Sequence, residues 1–195
     1  MAVPEIILAS VSPRRAALLE QVGVPFRTLP STLGEDGETQ LAGEGAEGCA
    51  RRLALAKARD VARTLSHGLV IGADTVVTCD ERLLGKPRDA DEAQAFLLSL
   101  AARTHRVITG VAVVEVETGR AEVDAAATEV TMRPFDAMEA AQYVATGEPM
   151  DKAGAYGIQE RGALLVEGIQ GDYFNVVGLP LALLAELLRR FGVEP

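Results

Sequence analysis

The stretch Ser10-Val11-Ser12-Pro13-Arg14-Arg15 sets two hydroxyls beside two guanidiniums. Hydroxyls, the free N–H groups at a helix start and bidentate guanidiniums are the groups that grip a phosphate or another anion. The competing reading is a capped surface helix whose arginines meet acids elsewhere. Further along, Asp74 follows an apolar β-branched run and offers a carboxylate able to activate water or hold a divalent ion. Lys57, Lys86 and Lys152 add positive charge, and Gln159 follows Lys152 in a segment of small residues. Together with Asp74 and Glu35, these cations suit a polyanion accompanied by a metal.

The stretches differ in how much they say alone. Gly85-Lys86-Pro87 holds a lysine on a constrained turn but lacks the spacing of a P-loop. Asp74 is not in the D-x-D setting of an aspartyl-phosphate nucleophile. Lys57 lies on the apolar stripe of a long helical pattern, where a lysine that snorkels to solvent is the ordinary account. His67 and His105 show no metal-ligand spacing and read as structural or surface residues. Cys49 and Cys79 are far apart and read as free thiols of a reducing compartment.

Composition bounds the partners. The chain has 195 residues, 48% hydrophobic and 24% charged, enough for one domain with a sizeable core. Its net charge of −9 disfavours unspecific nucleic-acid binding, and 4% aromatics without tryptophan disfavours a base-stacking surface. No leader or membrane-length apolar run is present, so the expectation is a cytoplasmic protein with no nucleic-acid or membrane partner.

The elements that must position these residues follow from periodicity and turn chemistry. Residues 6–9 form an apolar run of strand length, and residues 16–22 an amphipathic helix with Ser12 as cap, Pro13 at its first position and Gly23 closing it. Arg14 and Arg15 then stand in a first turn where the helix dipole favours carboxylates. A second strand is expected at 24–30, a Gly- and Glu-rich loop at 31–48 and a long helix at 46–65. Residues 68–74 read as a buried strand with Asp74 at its C-terminal end, where open α/β folds bind ligands. A further strand and turn follow, then a helix at 91–102, paired strands at 106–117 and 121–132, and a helix at 136–146. A Gly-studded stretch containing a strand-like "NVV" leads to a last helix at 181–191. This mixture indicates an α/β protein with a mixed sheet, flanking helices and two lobes forming a cleft.

An ordered series of stretches resembles one family. They are "LASVSPRR", Glu35 after "PFRTLPSTLG", "ALAKA", "GADTVV", "LGKP", "TGV", "DKAGAYGIQ" and "GDYFNVVGLP", spanning residues 8–180. The set is similar to the Maf-type nucleoside triphosphate pyrophosphatases, related in fold to the inosine triphosphate pyrophosphatases. The resemblance implies a single domain over residues 1–195 with a twisted central sheet. It also implies hydrolysis of a nucleoside triphosphate to monophosphate and pyrophosphate, with Mg2+ or Mn2+ as cofactor. By position, Asp74 matches the proton acceptor; Ser10, Arg14, Arg15, Lys57 and Lys86 match phosphate-handling residues; and Glu35 matches an acidic site residue. Whether Asp74, with Glu35, ligates the metal or Asp74 acts as general base stays open. Arg14, Thr75 and Gln159 match the specificity set of the dTTP/UTP subgroup, while the 7-methyl-GTP subgroup differs there. The family is also linked to septum formation, so a nucleotide-binding regulator of cell division is the alternative. Similar proteins are often dimers, and no feature of this sequence decides that point.

Overall fold

The computed structural model describes residues 4–33, 44–80 and 82–195. Seven strands form one mixed sheet in the order β2-β1-β3-β5-β6-β7, with β4 paired to β3 off that path. The strands are β1 (Ile6–Leu8), β2 (Arg27–Thr28), β3 (Leu69–Cys79), β4 (Arg82–Leu84), β5 (Thr104–Glu115), β6 (Ala121–Met132) and β7 (Val166–Gln170). The helices are α1 (Pro13–Gln21), α2 (Gly45–Ala62), α3 (Ala90–Leu100), α4 (Ala137–Val144), α5 (Tyr173–Val177) and α6 (Leu181–Arg189). Three short 3-10 turns, Glu148–Asp151, Ala153–Ala155 and Glu160–Leu165, occupy the Gly-studded stretch. The mixed α/β class with flanking helices is as expected from the sequence.

Strand alternation sorts the core. On β3, Leu69, Ile71 and Ala73 join one apolar cluster with α1 and α6, while Val77 and Cys79 join a second with α3 and α4. These odd-numbered residues share one face, because side chains alternate along a strand. Even-numbered residues of β3 and β5 turn to the other face and meet α2. The two clusters on the odd face are the two lobes, and β3 and β5 run through both.

Helix α2 lies unusually close to the sheet. Its buried face repeats Ala50, Ala54 and Ala58, four residues apart, opposite Gly72 on β3 and Gly110 on β5. A Cβ at Gly72 would sit 2.2 Å from the Ala54 carbonyl oxygen, and one at Gly110 2.2 Å from that of Ala50. Both glycines are needed because backbone, not side chain, fills the space.

Four local expectations need correction. Asp74 does not end a strand: β3 is one continuous element in which Asp74 pairs with Gly110. The β-branched run extends through Val76 and Val77, and pairing with β5 carries the strand past the acid. The "NVV" segment is not a strand but the end of α5, started by the Asp172 carboxylate accepting from the Phe174 N–H at 2.8 Å. The second strand shrinks to Arg27–Thr28, both exposed. Ser12 holds the cap position of α1 without a side-chain cap bond; its N–H instead donates to Ser10 Oγ at 3.1 Å. Strand β7 was not anticipated, since Val166–Gln170 is exposed at four of five positions and shows no alternation.

Candidate active site

One edge of β3 explains where the chemistry sits. Strand β5 covers the other edge of β3 from Leu69 to Thr78. On the open side, β1 pairs in parallel only with Leu69 to Ile71, and β4 pairs only with Val77 to Cys79. Residues 73–76 thus face a gap between the end of β1 and the start of β4. Asp74 and Thr75 stand in that gap on opposite faces of the strand, and both line a cleft of about 310 Å³. That volume falls within the range of small-molecule sites.

On the α2 face, Lys57 Nζ donates to Asp74 Oδ1 at 2.7 Å, with the two side chains only 5% and 10% exposed. The lysine does not snorkel. The Ala/Gly contact holds α2 so near the sheet that Lys57, one turn beyond Leu53 and Ala54, ends directly over the acid. A pair this buried is costly to break, since the survivor is left charged in a low-dielectric setting.

On the other face, Thr75 Oγ1 accepts from Arg15 Nη2 at 3.2 Å and shares a 2.9 Å hydrogen bond with Thr109 Oγ1. Arg15 also donates to Ser10 Oγ at 3.2 Å and to the Gly178 carbonyl at 2.8 Å. Thr109 is in turn fixed by Asn175, whose Oδ1 accepts from the Thr109 N–H at 3.1 Å and whose Nδ2 donates to Val107 O and Thr128 Oγ1. Asn175 and Thr109 are fully buried. These bonds give Thr109 of "TGV" and Asn175 and Gly178 of "GDYFNVVGLP" a physical task.

Across the cleft, Lys152 donates to the Glu148 carbonyl at 2.6 Å and to Asp151 Oδ1 at 2.7 Å. Arg14 Nη1 reaches over from α1 to Asp151 Oδ2 at 2.9 Å. Burial pushes the Asp151 carboxyl up, but Lys152 and Arg14 outweigh it and hold the group below the ordinary carboxylate range. The turn carrying Lys86 is tied to this segment by the Gly154 N–H donating to the Gly85 carbonyl at 3.0 Å.

Of the residues singled out from sequence, Arg14, Arg15, Asp74, Thr75, Lys86, Lys152 and Gln159 all line the cleft. Ser10 and Lys57 are buried behind it, gripping Arg15 and Asp74. Glu35 lies outside the described residues. The sequence reading missed Asp151 and Tyr156, which also line the cleft. Tyr156 rests its hydroxyl on His105 Nε2 at 2.7 Å, so His105 is structural, as expected. A lone aromatic among small residues in "AGAYG" was the available signal. Among the described residues there is no group of three His, Cys, Asp or Glu side chains suited to a metal.

Comparison with known proteins decides the family. The family model for Maf-like protein matches residues 5–191. The chain belongs to this family. A dTTP/UTP pyrophosphatase of Moorella thermoacetica is 53% identical to this Maf-like chain over 190 residues, 97% of it and 96% of that protein. A dTTP/UTP pyrophosphatase of Dictyoglomus turgidum is 47% identical over 188 residues, 96% of each chain. Among solved structures, a nucleoside-triphosphatase / dITP/XTP pyrophosphatase from Mycobacterium abscessus aligns with TM-score 0.45 and 17% identity over 96% of this chain and 97% of that one. Of the ordered stretches that suggested the family, "LASVSPRR", "GADTVV", "LGKP", "DKAGAYGIQ" and "GDYFNVVGLP" supply residues that line the cleft of this Maf-like chain, while "ALAKA" and "TGV" hold Asp74 and Thr75 from behind. No described helix is long and apolar enough to cross a membrane.

Proposed function

We propose that this Maf-like protein hydrolyses dTTP and UTP to the monophosphate and pyrophosphate. The observation that carries the proposal is the Asp74–Lys57 pair, set in the gap of the sheet edge and faced by Arg14, Lys86 and Lys152. A site for binding alone has no need of an oriented carboxylate beside its cations. The names borne by relatives at 53% and 47% identity support the same reading.

The reaction is a displacement at the α-phosphorus. A water oxygen bonds to phosphorus, the bridging α–β P–O bond breaks, and pyrophosphate leaves with the electron pair. Asp74, held by Lys57, accepts the water's proton. Arg14, Lys86 and Lys152 neutralise charge on the triphosphate, where most of the rate enhancement of phosphoryl transfer originates. Arg15 is engaged by Gly178, Ser10 and Thr75, so its first task is to shape the wall. Gln159 lines the cleft and its side-chain amide makes no hydrogen bond among the described residues. An amide that both donates and accepts matches the imide edge of uracil or thymine.

The donor set also fits a divalent cation of the Mg2+ or Mn2+ kind. Such an ion takes one or two carboxylates and completes its shell with phosphate oxygens and water, and Asp74 supplies a carboxylate without a prebuilt cage around it. When bound, the ion would lower the negative charge on the phosphates and polarise the attacked group. We propose the cytoplasm as the site of action, consistent with the free, buried thiols of Cys49 and Cys79.

The test is a panel of nucleoside triphosphates with magnesium or manganese, resolving pyrophosphate from orthophosphate. UTP and dTTP are expected to yield monophosphate and pyrophosphate. Orthophosphate with a diphosphate product would refute α–β cleavage, and preference for 7-methyl-GTP would refute the pyrimidine assignment.

A further inference from the structure

Gln159 needs a defined backbone if it is to select a base, and the turn that bears it is strained. Glu160 has φ of +55° and Ala155 +60°, both in the left-handed region that side-chain-bearing residues avoid. Something must hold residues 157–162 in this shape. Glu148, half-buried and outside the cleft lining, does so with its carboxylate. Oε1 accepts from the Tyr143 hydroxyl at 2.8 Å and the Gly162 N–H at 3.1 Å, while Oε2 accepts from the Arg161 N–H at 3.2 Å. The Tyr143 hydroxyl accepts from the Gly157 N–H at 3.1 Å. One carboxylate and one phenol thereby pin both ends of the turn, from Gly157 to Gly162.

The turn is also closed on itself. A Cβ at Gly162 would come 2.1 Å from the Gly157 carbonyl oxygen and 2.6 Å from the Tyr143 hydroxyl. Hydrogen bonds to a charged acceptor are stronger than neutral ones, which suits a group that offsets backbone strain. The Glu148 carbonyl holds Lys152 Nζ as well, so the same residue also positions one cation of the cleft.

We infer that Glu148 is a positioning residue for base selection, acting through Tyr143 and the backbone of residues 157–162 on Gln159. The inference rests on the proposed pyrimidine triphosphatase activity and names what gives that site its selectivity.

The experiment compares wild type, Glu148→Ala, Glu148→Gln and Tyr143→Phe on UTP and GTP, with kcat and KM determined separately and folding checked by thermal melting. In Glu148→Ala the UTP-over-GTP preference is expected to fall by about tenfold, mostly through a higher KM for UTP. Glu148→Gln keeps one acceptor oxygen and is expected to recover part of the preference. Tyr143→Phe keeps the buried ring and is expected to shift preference the same way by less, which preserves the test if Glu148→Ala does not fold. A uniform loss on both nucleotides, or an unchanged preference in the folded variants, would overturn the role of Glu148. Absence of pyrophosphate release from UTP by wild type would instead overturn the proposed function.

Discussion

Asp74 and Lys57 form the pair whose removal discriminates chemistry from binding. Asp74→Asn keeps the shape and loses the proton acceptor; turnover is expected to fall about a thousandfold, while nucleotide binding measured by calorimetry persists. Equal turnover would remove Asp74 from the proton transfer. Lys57→Met tests the other partner: it leaves a buried carboxylate without its cation, and unfolding free energy is expected to drop by about 3 kcal/mol in denaturant titration. Asp151 acts in the opposite sense, because it occupies Arg14 and Lys152, two cations a triphosphate would want. Asp151→Asn is expected to lower KM for UTP about threefold, the scale of an exposed pair; a raised KM would show that Asp151 aids binding. Sequence exposed most of these residue types and little of their pairing. Lys57 on an apolar stripe was visible, but the acid it meets is 17 positions away on another element. Arg14 and Asp151 are separated by 137 positions and no local pattern links them.

Among the elements, α2 and β3 decide the site's geometry. The contact of Ala50 and Ala54 with Gly110 and Gly72 is backbone against backbone, so adding one methyl forces the helix outward. Gly110→Ala is expected to lose about 3 kcal/mol of stability by thermal melting, at the upper end for overpacking. It is also expected to reduce kcat by moving Lys57 off Asp74, whereas a methyl tolerated without loss of either would show that the helix has room to shift. Helix periodicity made α2 legible, and turn residues delimited the β5–β6 hairpin. What failed was the segmentation of β3 and the class of α5. The polar Asp74 and Thr75 interrupt an apolar run and look like a strand end, yet β5 pairs straight through them. Val176 and Val177 favour strand, but the Asp172 cap and the four hydrogen bonds made by Asn175 with Thr109, Val107 and Thr128 hold the segment helical against that preference.

At the scale of the whole molecule, a buried histidine couples folding to pH. Burial lowers His105 from 6.5 to about 4, and its Nδ1 has no partner among the described residues. Its stabilisation is intact above pH 6.5, where folded and unfolded chains both hold it neutral. As pH falls from 6.5 towards 4 the unfolded chain binds a proton that the folded chain refuses, so stability declines by about 3 kcal/mol over that window. Melting temperatures of wild type and His105→Gln across the window are expected to show a shallower acid dependence in the variant; parallel curves would acquit His105. The molecule's connectivity has a consequence in time. Arg15 takes its Nε acceptor from Gly178, 163 positions later, and Arg14 reaches Asp151 across 137. The ribosome must therefore have passed Gly178 before the arginine wall can assemble. A chain that stops short of Gly178 lacks the carbonyl that holds Arg15 Nε, so its arginine wall is left incomplete.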